Sequence, residues 1–212
     1  STPAGFRFDS VAHLICQPGS SAQLAQHVSF LNLSHILLVT DAGVIQHGLH
    51  LPALHSLEQA GLRVSVYRDV QADPPEAVVL DAAHTARAAG IDGVIGLGGG
   101  SSMDVAKLIA VLAHPDQTQP LQQMYGVNQV TGPRLPLVQV PTTAGTGSEV
   151  TPIAIVTTGE TTKMGIVAPQ LLADLAVLDA QLTVGLPPAI TAATGIDAMV
   201  HAIEAYTSRG KH

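Results

Sequence analysis

Short apolar, β-branched runs recur along this chain at residues 35–40, 62–67, 93–97, 135–140 and 175–178, with longer helix-forming stretches between them. Strands that alternate with helices in this rhythm build a parallel sheet covered by helices. The stretches 21–31, 51–60 and 76–89 read as the helices, the last opening after Pro74-Pro75 and closing at Gly90. Proline suits the first turn of a helix, and glycine suits its exit. Residues 1–181 are therefore expected to form one α/β domain, doubly wound around a mainly parallel sheet.

The texture changes near Leu182. Leu186-Pro187-Pro188 opens an Ala/Thr-rich segment that runs through Gly195 into a helical stretch at 196–206, with no strand signal after it. A proline pair marks a helix boundary. Residues 182–212 are expected to begin an all-helical second domain, truncated at His212.

Composition narrows the class further. Hydrophobic residues make up 46% of the 212, aromatic residues only 3%, and there is no Trp, so the core is expected to be built from Val, Ile, Leu and Ala. Nine Lys and Arg against sixteen Asp and Glu give a net charge of -7 without any dense basic cluster, which argues against nucleic acid as a partner. The apolar run 108–113 falls far short of the roughly 20 residues a membrane helix needs, so no membrane partner is expected. The single cysteine, Cys16, cannot form an internal disulfide, and the opening STPAGFRFDS lacks the plan of a secretion signal. A cytoplasmic protein is the expectation.

Gly96-Leu97-Gly98-Gly99-Gly100-Ser101-Ser102 follows an apolar strand and leads into a helix from Met103 to Leu112. A strand, a glycine turn and a helix N-terminus make an anion site, because bare backbone approaches a pyrophosphate closely and unpaired N–H groups point at it. The usual dinucleotide fingerprint is broken, since Ser101 occupies its third glycine position. A tight turn that needs glycine only for its geometry is the alternative. Asp104 and Lys107 read as first-turn and solvent-facing residues of this helix.

A second loop, Pro141-Thr142-Thr143-Ala144-Gly145-Thr146-Gly147-Ser148-Glu149, follows another strand and sets small hydroxyls beside glycines. Alone it would be an ordinary connection. Two such loops after two parallel strands point to a ligand, because ligands of open α/β sheets gather at strand carboxyl ends. Asp41 ends the strand at 35–40, where a carboxylate can accept hydrogen bonds from a ribose diol and repel a 2'-phosphate. A helix N-cap is the equal alternative.

Asp197 and His201 stand four residues apart in a helix-like run and so share one helical face. A carboxylate and an imidazole suit divalent iron or zinc, although two protein ligands rarely hold such an ion alone. An exposed i,i+4 pair is the competing account.

Three segments, GGGSSMDVAK at 98–107, PTTAGTGSEVT at 141–151 and GIDAMVHAIEAY at 195–206, resemble the iron-containing (group III) alcohol dehydrogenases, relatives of glycerol dehydrogenase and dehydroquinate synthase. The resemblance runs from roughly residue 5 to the end of the chain. It implies a Rossmann-like, dehydroquinate synthase-like α/β domain followed by an all-helical metal domain. It implies that Gly98, Gly99, Gly100 and Ser101 bind the cofactor pyrophosphate and that Thr142, Thr143 and Thr146 line the cofactor cleft. By the same resemblance Asp41 is a ribose-binding Asp that selects NAD over NADP, Lys163 contacts the cofactor and Leu182 lies on the adenosine side. Asp197 and His201 match the first two metal ligands, while His212 matches none. Ala168 and Ala180 depart from the Asp and Pro many relatives carry.

The implied reaction is hydride transfer between NAD and a small alcohol or aldehyde, with Fe2+, or alternatively Zn2+, polarising the substrate oxygen. A homo-oligomer, dimer or larger, is implied as well. A zinc-type polyol dehydrogenase and a non-catalytic NAD-binding fragment are the alternatives. His13, His35 and His114 are read as surface or packing residues.

Overall fold

The structure, a computed structural model, describes residues 9–183. Among them the strands are β1 (His13–Cys16), β2 (His35–Val39), β3 (Arg63–Tyr67), β4 (Gly93–Gly98), β5 (Gly126–Val127), β6 (Leu137–Pro141), β7 (Ile153–Thr158), β8 (Thr162–Val167) and β9 (Leu175–Leu178). The helices are α1 (Leu24–Val28), α2 (Ala42–Gln46), α3 (Leu51–Gln59), α4 (Glu76–Ala88), α5 (Gly100–Leu112) and the single turn α6 (Ala180–Thr183).

Six strands form one sheet in the order β1-β9-β6-β4-β2-β3, and every pair in it is parallel. The chain steps outward from β2 to β3, returns to lay β4 on the other side of β2, and continues outward through β6 to β9. Winding therefore reverses between β2 and β4, and a crevice opens at their carboxyl ends. This is the doubly wound parallel architecture the strand rhythm predicts.

Successive residues of a strand face opposite sides of the sheet, so each strand feeds two cores. Leu37, Val39, Val94 and Leu137 pack with α4 and α5 on one face. Ile36, Leu38, Ile95, Leu97, Val138 and Val140 pack with α1 and α3 on the other. The central strands β2, β4 and β6 are buried throughout, whereas the edge strand β1 is largely exposed. Helix α5 rides very close to β4: a Cβ on Gly96 would lie 2.8 Å from Ala106 Cβ. Only glycine permits that approach.

Beyond the short edge strand β1, which the sequence reading omits, two regions differ from it. The stretch 21–31 is not one helix but a 3-10 turn at Ser20–Gln23, the short α1, and another 3-10 turn at Ser29–Leu31. Its entry is captured by Asp179, whose carboxylate accepts from Gly19 N at 2.7 Å and Ser21 N at 3.0 Å. The sequence reading also omits the antiparallel hairpin β7–β8, which pairs with β5 in a three-stranded sheet of order β5-β8-β7. No helix among the described residues is long and apolar enough to cross a membrane.

Candidate functional site

Asp41 follows β2 at the point where the winding reverses, and it caps α2, with Oδ1 accepting from Val44 N at 3.0 Å. The N-cap account of this residue is thus correct, but it uses only one carboxylate oxygen. Oδ2 accepts from the Ser102 hydroxyl at 3.2 Å, across to the first turn of α5. Asp41, residues 70–72 and residues 99–102 line a cleft of about 270 Å³.

Gly98 ends β4, Gly99 is the N-cap of α5 and Gly100 opens the helix. None of the three has a positive φ, so turn geometry does not require glycine here. At Gly98 the requirement is internal packing, since a Cβ would fall 2.7 Å from Ser102 Oγ. At Gly99 and Gly100 it would meet only ordinary contacts, 3.7 Å from Thr143 Oγ1 and 3.4 Å from Thr146 Cγ2. The protein leaves room for a side chain at both, and both present bare backbone to the cleft. They do so at the N-terminus of a 13-residue helix, where N–H groups lack intrahelical partners and the macrodipole favours an anion.

The second loop closes over the first. Thr142 is buried and its N–H donates to Gly98 O at 2.9 Å, which locks the loop to β4. Thr143 then faces Gly99, and Thr146 faces Gly100. Thr143 also lines a second cleft of about 240 Å³ with Cys16, Glu149, Leu178, Asp179 and Thr183, at the ends of β1, β6 and β9. Among the described residues, Thr143 Oγ1 and Glu149 Oε2 are buried without a hydrogen-bond partner. A ligand with polar edges would satisfy them.

The remaining candidates are dispersed. Lys163 projects from β8 and pairs with Asp73 at 2.8 Å, next in sequence to the 70–72 wall of the first cleft. Both side chains are more than half exposed, so the pair contributes little stability. Leu182 is buried in the core on the α1 and α3 face, and neighbouring Thr183 is the residue that lines the second cleft. Asp197 and His201 lie outside the described residues. Among the described residues no cluster of His, Cys, Asp and Glu could hold a metal ion. The lone histidines behave as read: His13 meets Phe30 edge-on, His35 Nε2 lies 2.9 Å from Ser65 Oγ, and His114 Nδ1 accepts from Asp116 N.

The expectation of a solvent-facing Lys107 is overturned. Lys107 is fully buried, because α5 is enclosed on nearly every side and buries an unbroken run from Met103 to Val111 apart from Asp104. Its ammonium donates to Ile153 O at 2.6 Å and Ser148 Oγ at 2.9 Å, with Asp104 Oδ1 at 3.5 Å. Asp104 in turn accepts from Ser148 Oγ at 2.8 Å and Ile155 N at 3.1 Å. Burial pulls the Lys107 pKa down to about 8, against the opposing pull of Asp104 and Glu149. The partial signal in the sequence is the density of apolar residues on this helix, since a helix apolar on most faces is a buried one; which neighbours enclose Lys107 is set by the tertiary fold.

Known proteins resemble this chain in sequence and in fold. The family described as iron-containing alcohol dehydrogenase matches residues 12–180. Long-chain-alcohol dehydrogenase 1 of Geobacillus thermodenitrificans is 44% identical over 206 residues, 94% of this chain and 52% of that protein. The NAD-dependent methanol dehydrogenase of Bacillus methanolicus is 34% identical over 193 residues, 91% of this chain and 50% of that protein. A crystal structure of 1,3-propanediol oxidoreductase superposes with a TM-score of 0.92 at 34% identity, covering 99% of this chain and 55% of the other. The chain thus spans about half the length of the relatives it matches. The matched span takes in the glycine loop, the threonine loop and the winding reversal, and the chain belongs to the iron-containing alcohol dehydrogenase family.

Proposed function

We propose that this chain is the cofactor-binding portion of an NAD-dependent, metal-containing dehydrogenase that interconverts small alcohols and their aldehydes. Residues 1–181 form the dinucleotide domain in this reading, and 182–212 begin the helical metal and substrate domain. The observation that carries it is the pair Gly99 and Gly100. Neither needs glycine for its φ or for clearance from the protein, and both expose backbone to the cleft beside Asp41.

A pyrophosphate fits that bare backbone at the start of α5, with Ser101 and the helix N–H groups as donors. The Asp41 carboxylate, already oriented by Val44 N and Ser102 Oγ, accepts from the adenosine ribose diol and disfavours a 2'-phosphate. Thr143 and Thr146 cover the phosphates from the second loop. Lys163 and Leu182 are carried in the proposal as the hairpin and adenosine-side contacts. Asp197 and His201 are proposed as two ligands of a divalent ion, iron by family, with zinc the alternative their chemistry also accepts. When bound, NAD supplies the hydride acceptor and the divalent ion supplies Lewis acidity toward the substrate oxygen. The protein's share is alignment of the two reactants. A cytoplasmic homo-oligomer, dimer or larger, completes the reading.

The test uses the full-length protein. NADH should bind with a fluorescence change, NADPH much more weakly, and alcohol-dependent NADH formation should stop on chelation and return with Fe2+ or Zn2+. Turnover indifferent to chelator would remove the metal from the proposal, and absence of NADH binding would overturn the dinucleotide reading.

A further inference from the structure

We propose that Lys107 is a positioning residue for cofactor binding: through Ser148 it holds Thr146 over Gly100 and so fixes the cover of the phosphate crevice. This rests on the dinucleotide reading above.

The contacts form a continuous chain. The Lys107 ammonium donates to Ser148 Oγ at 2.9 Å, and the Ser148 N–H donates to Thr146 Oγ1 at 3.4 Å. The Thr146 side chain stands over Gly100. Lys107 also holds Ile153 O at 2.6 Å, so one ammonium grips both ends of the segment between the loop and β7. Asp104 repeats the clamp from the same helix, accepting from Ser148 Oγ and Ile155 N.

The loop itself supplies little rigidity. Thr146 lies between Gly145 at φ 117° and Gly147 at φ 66°, and a backbone segment of this kind has many alternatives to its observed path. Thr146 is exposed, so packing does not hold it either. A fully buried lysine is also a poor choice for core stability, since a similarly sized apolar residue would fill the space without the cost of desolvating a charge. What the ammonium adds is direction: it can donate simultaneously to a named atom of the loop, Ser148 Oγ, and one of β7, Ile153 O. The charged groups facing it are Asp104 from its own helix and Glu149 from the loop.

The experiment is a double-mutant cycle on NADH binding in the full-length protein, using Lys107→Met and Thr146→Ala. Lys107→Met should raise the NADH dissociation constant about tenfold, and adding Thr146→Ala to it should raise it hardly further, because coupled residues are not additive. In turnover, the KM for the cofactor should rise in the same proportion while kcat changes less than about twofold. Should Lys107→Met fail to fold, Ser148→Ala removes one hydroxyl from the same chain and is read in the same cycle. Wild-type affinity in the variant overturns the proposal, and so does a loss that adds fully to that of Thr146→Ala, since Lys107 would then act by another route. If the wild-type protein binds no NADH, the dinucleotide reading itself falls and takes this proposal with it.

Discussion

The Ser102 hydroxyl and the Asp41 carboxylate are hydrogen-bonded at 3.2 Å, joining the two strand ends between which the sheet reverses its winding. Asp41 is therefore held by both walls of the crevice, with its N-cap bond on one side and the glycine-loop helix on the other.

Asp41→Ser keeps a capping oxygen for α2 while removing the charge. The preference for NADH over NADPH, measured as the ratio of dissociation constants, should fall by at least about tenfold, because the like-charge penalty against a 2'-phosphate is gone. An unchanged ratio would move cofactor selection away from Asp41.

Gly99→Ala and Gly100→Ala should separate stability from binding. Each Cβ meets only ordinary contacts, so unfolding free energy should hold or rise by about 0.4–1 kcal/mol through the unfolded chain. NADH affinity should nevertheless drop at least about tenfold as the Cβ enters the crevice. Gly98→Ala provides the contrast: its Cβ would lie 2.8 Å from Ser102 Cβ, and overpacking should destabilise the fold by about 1–3 kcal/mol. Paired urea unfolding and NADH titration read all three.

Lys107 gives a signed pH dependence. Burial lowers its pKa from the ordinary 10.5 to about 8, so between those values the unfolded chain holds a proton that the folded protein has released. Stability contributed by this group therefore rises with pH across that window. Thermal melts of wild type and Lys107→Met at about pH 7.5 and about pH 9.5 should show the difference shifting toward the wild type at the higher pH.

Asp179 works in the opposite range. Burial pushes its carboxyl upward, but hydrogen bonds from Ser21, Gly19 and Gln181 outweigh that and hold it below its ordinary value. A depressed folded pKa gives stability that is fully present above the unfolded pKa and is lost as pH falls through the folded one. Asp179→Asn should cost about 1–3 kcal/mol near neutrality. In urea unfolding series the variant and wild type should converge in acid, below the folded pKa.

The sheet was legible because its central strands are apolar on both faces, a pattern that a parallel sheet imposes over β2, β4 and β6. The two loops that border the clefts were legible because glycine and hydroxyl residues cluster directly after strands. Strand β1 was harder to see: four residues at an exposed edge carry no buried pattern. The hairpin β7–β8 alternates only in part, with β8 exposed over its first four residues. Lys107 was misplaced because helical spacing counts the residues on its own helix. It does not reveal that the sheet, α4 and the hairpin enclose that helix, which is a tertiary fact.

The strand order carries a consequence for how the domain is made. Among the described residues β1 pairs only with β9, and the bond from Gly19 N to Asp179 spans 160 residues of sequence. A growing chain emits β1 long before β9, so β1 must wait for this partner through synthesis of the strands and helices between them. Closing that longest loop is the entropically costly step that other pairings do not require. The ribosome therefore delivers four strands of the six-stranded sheet before the β1 edge can close, and that edge is sealed only when two strands far apart in time of synthesis meet.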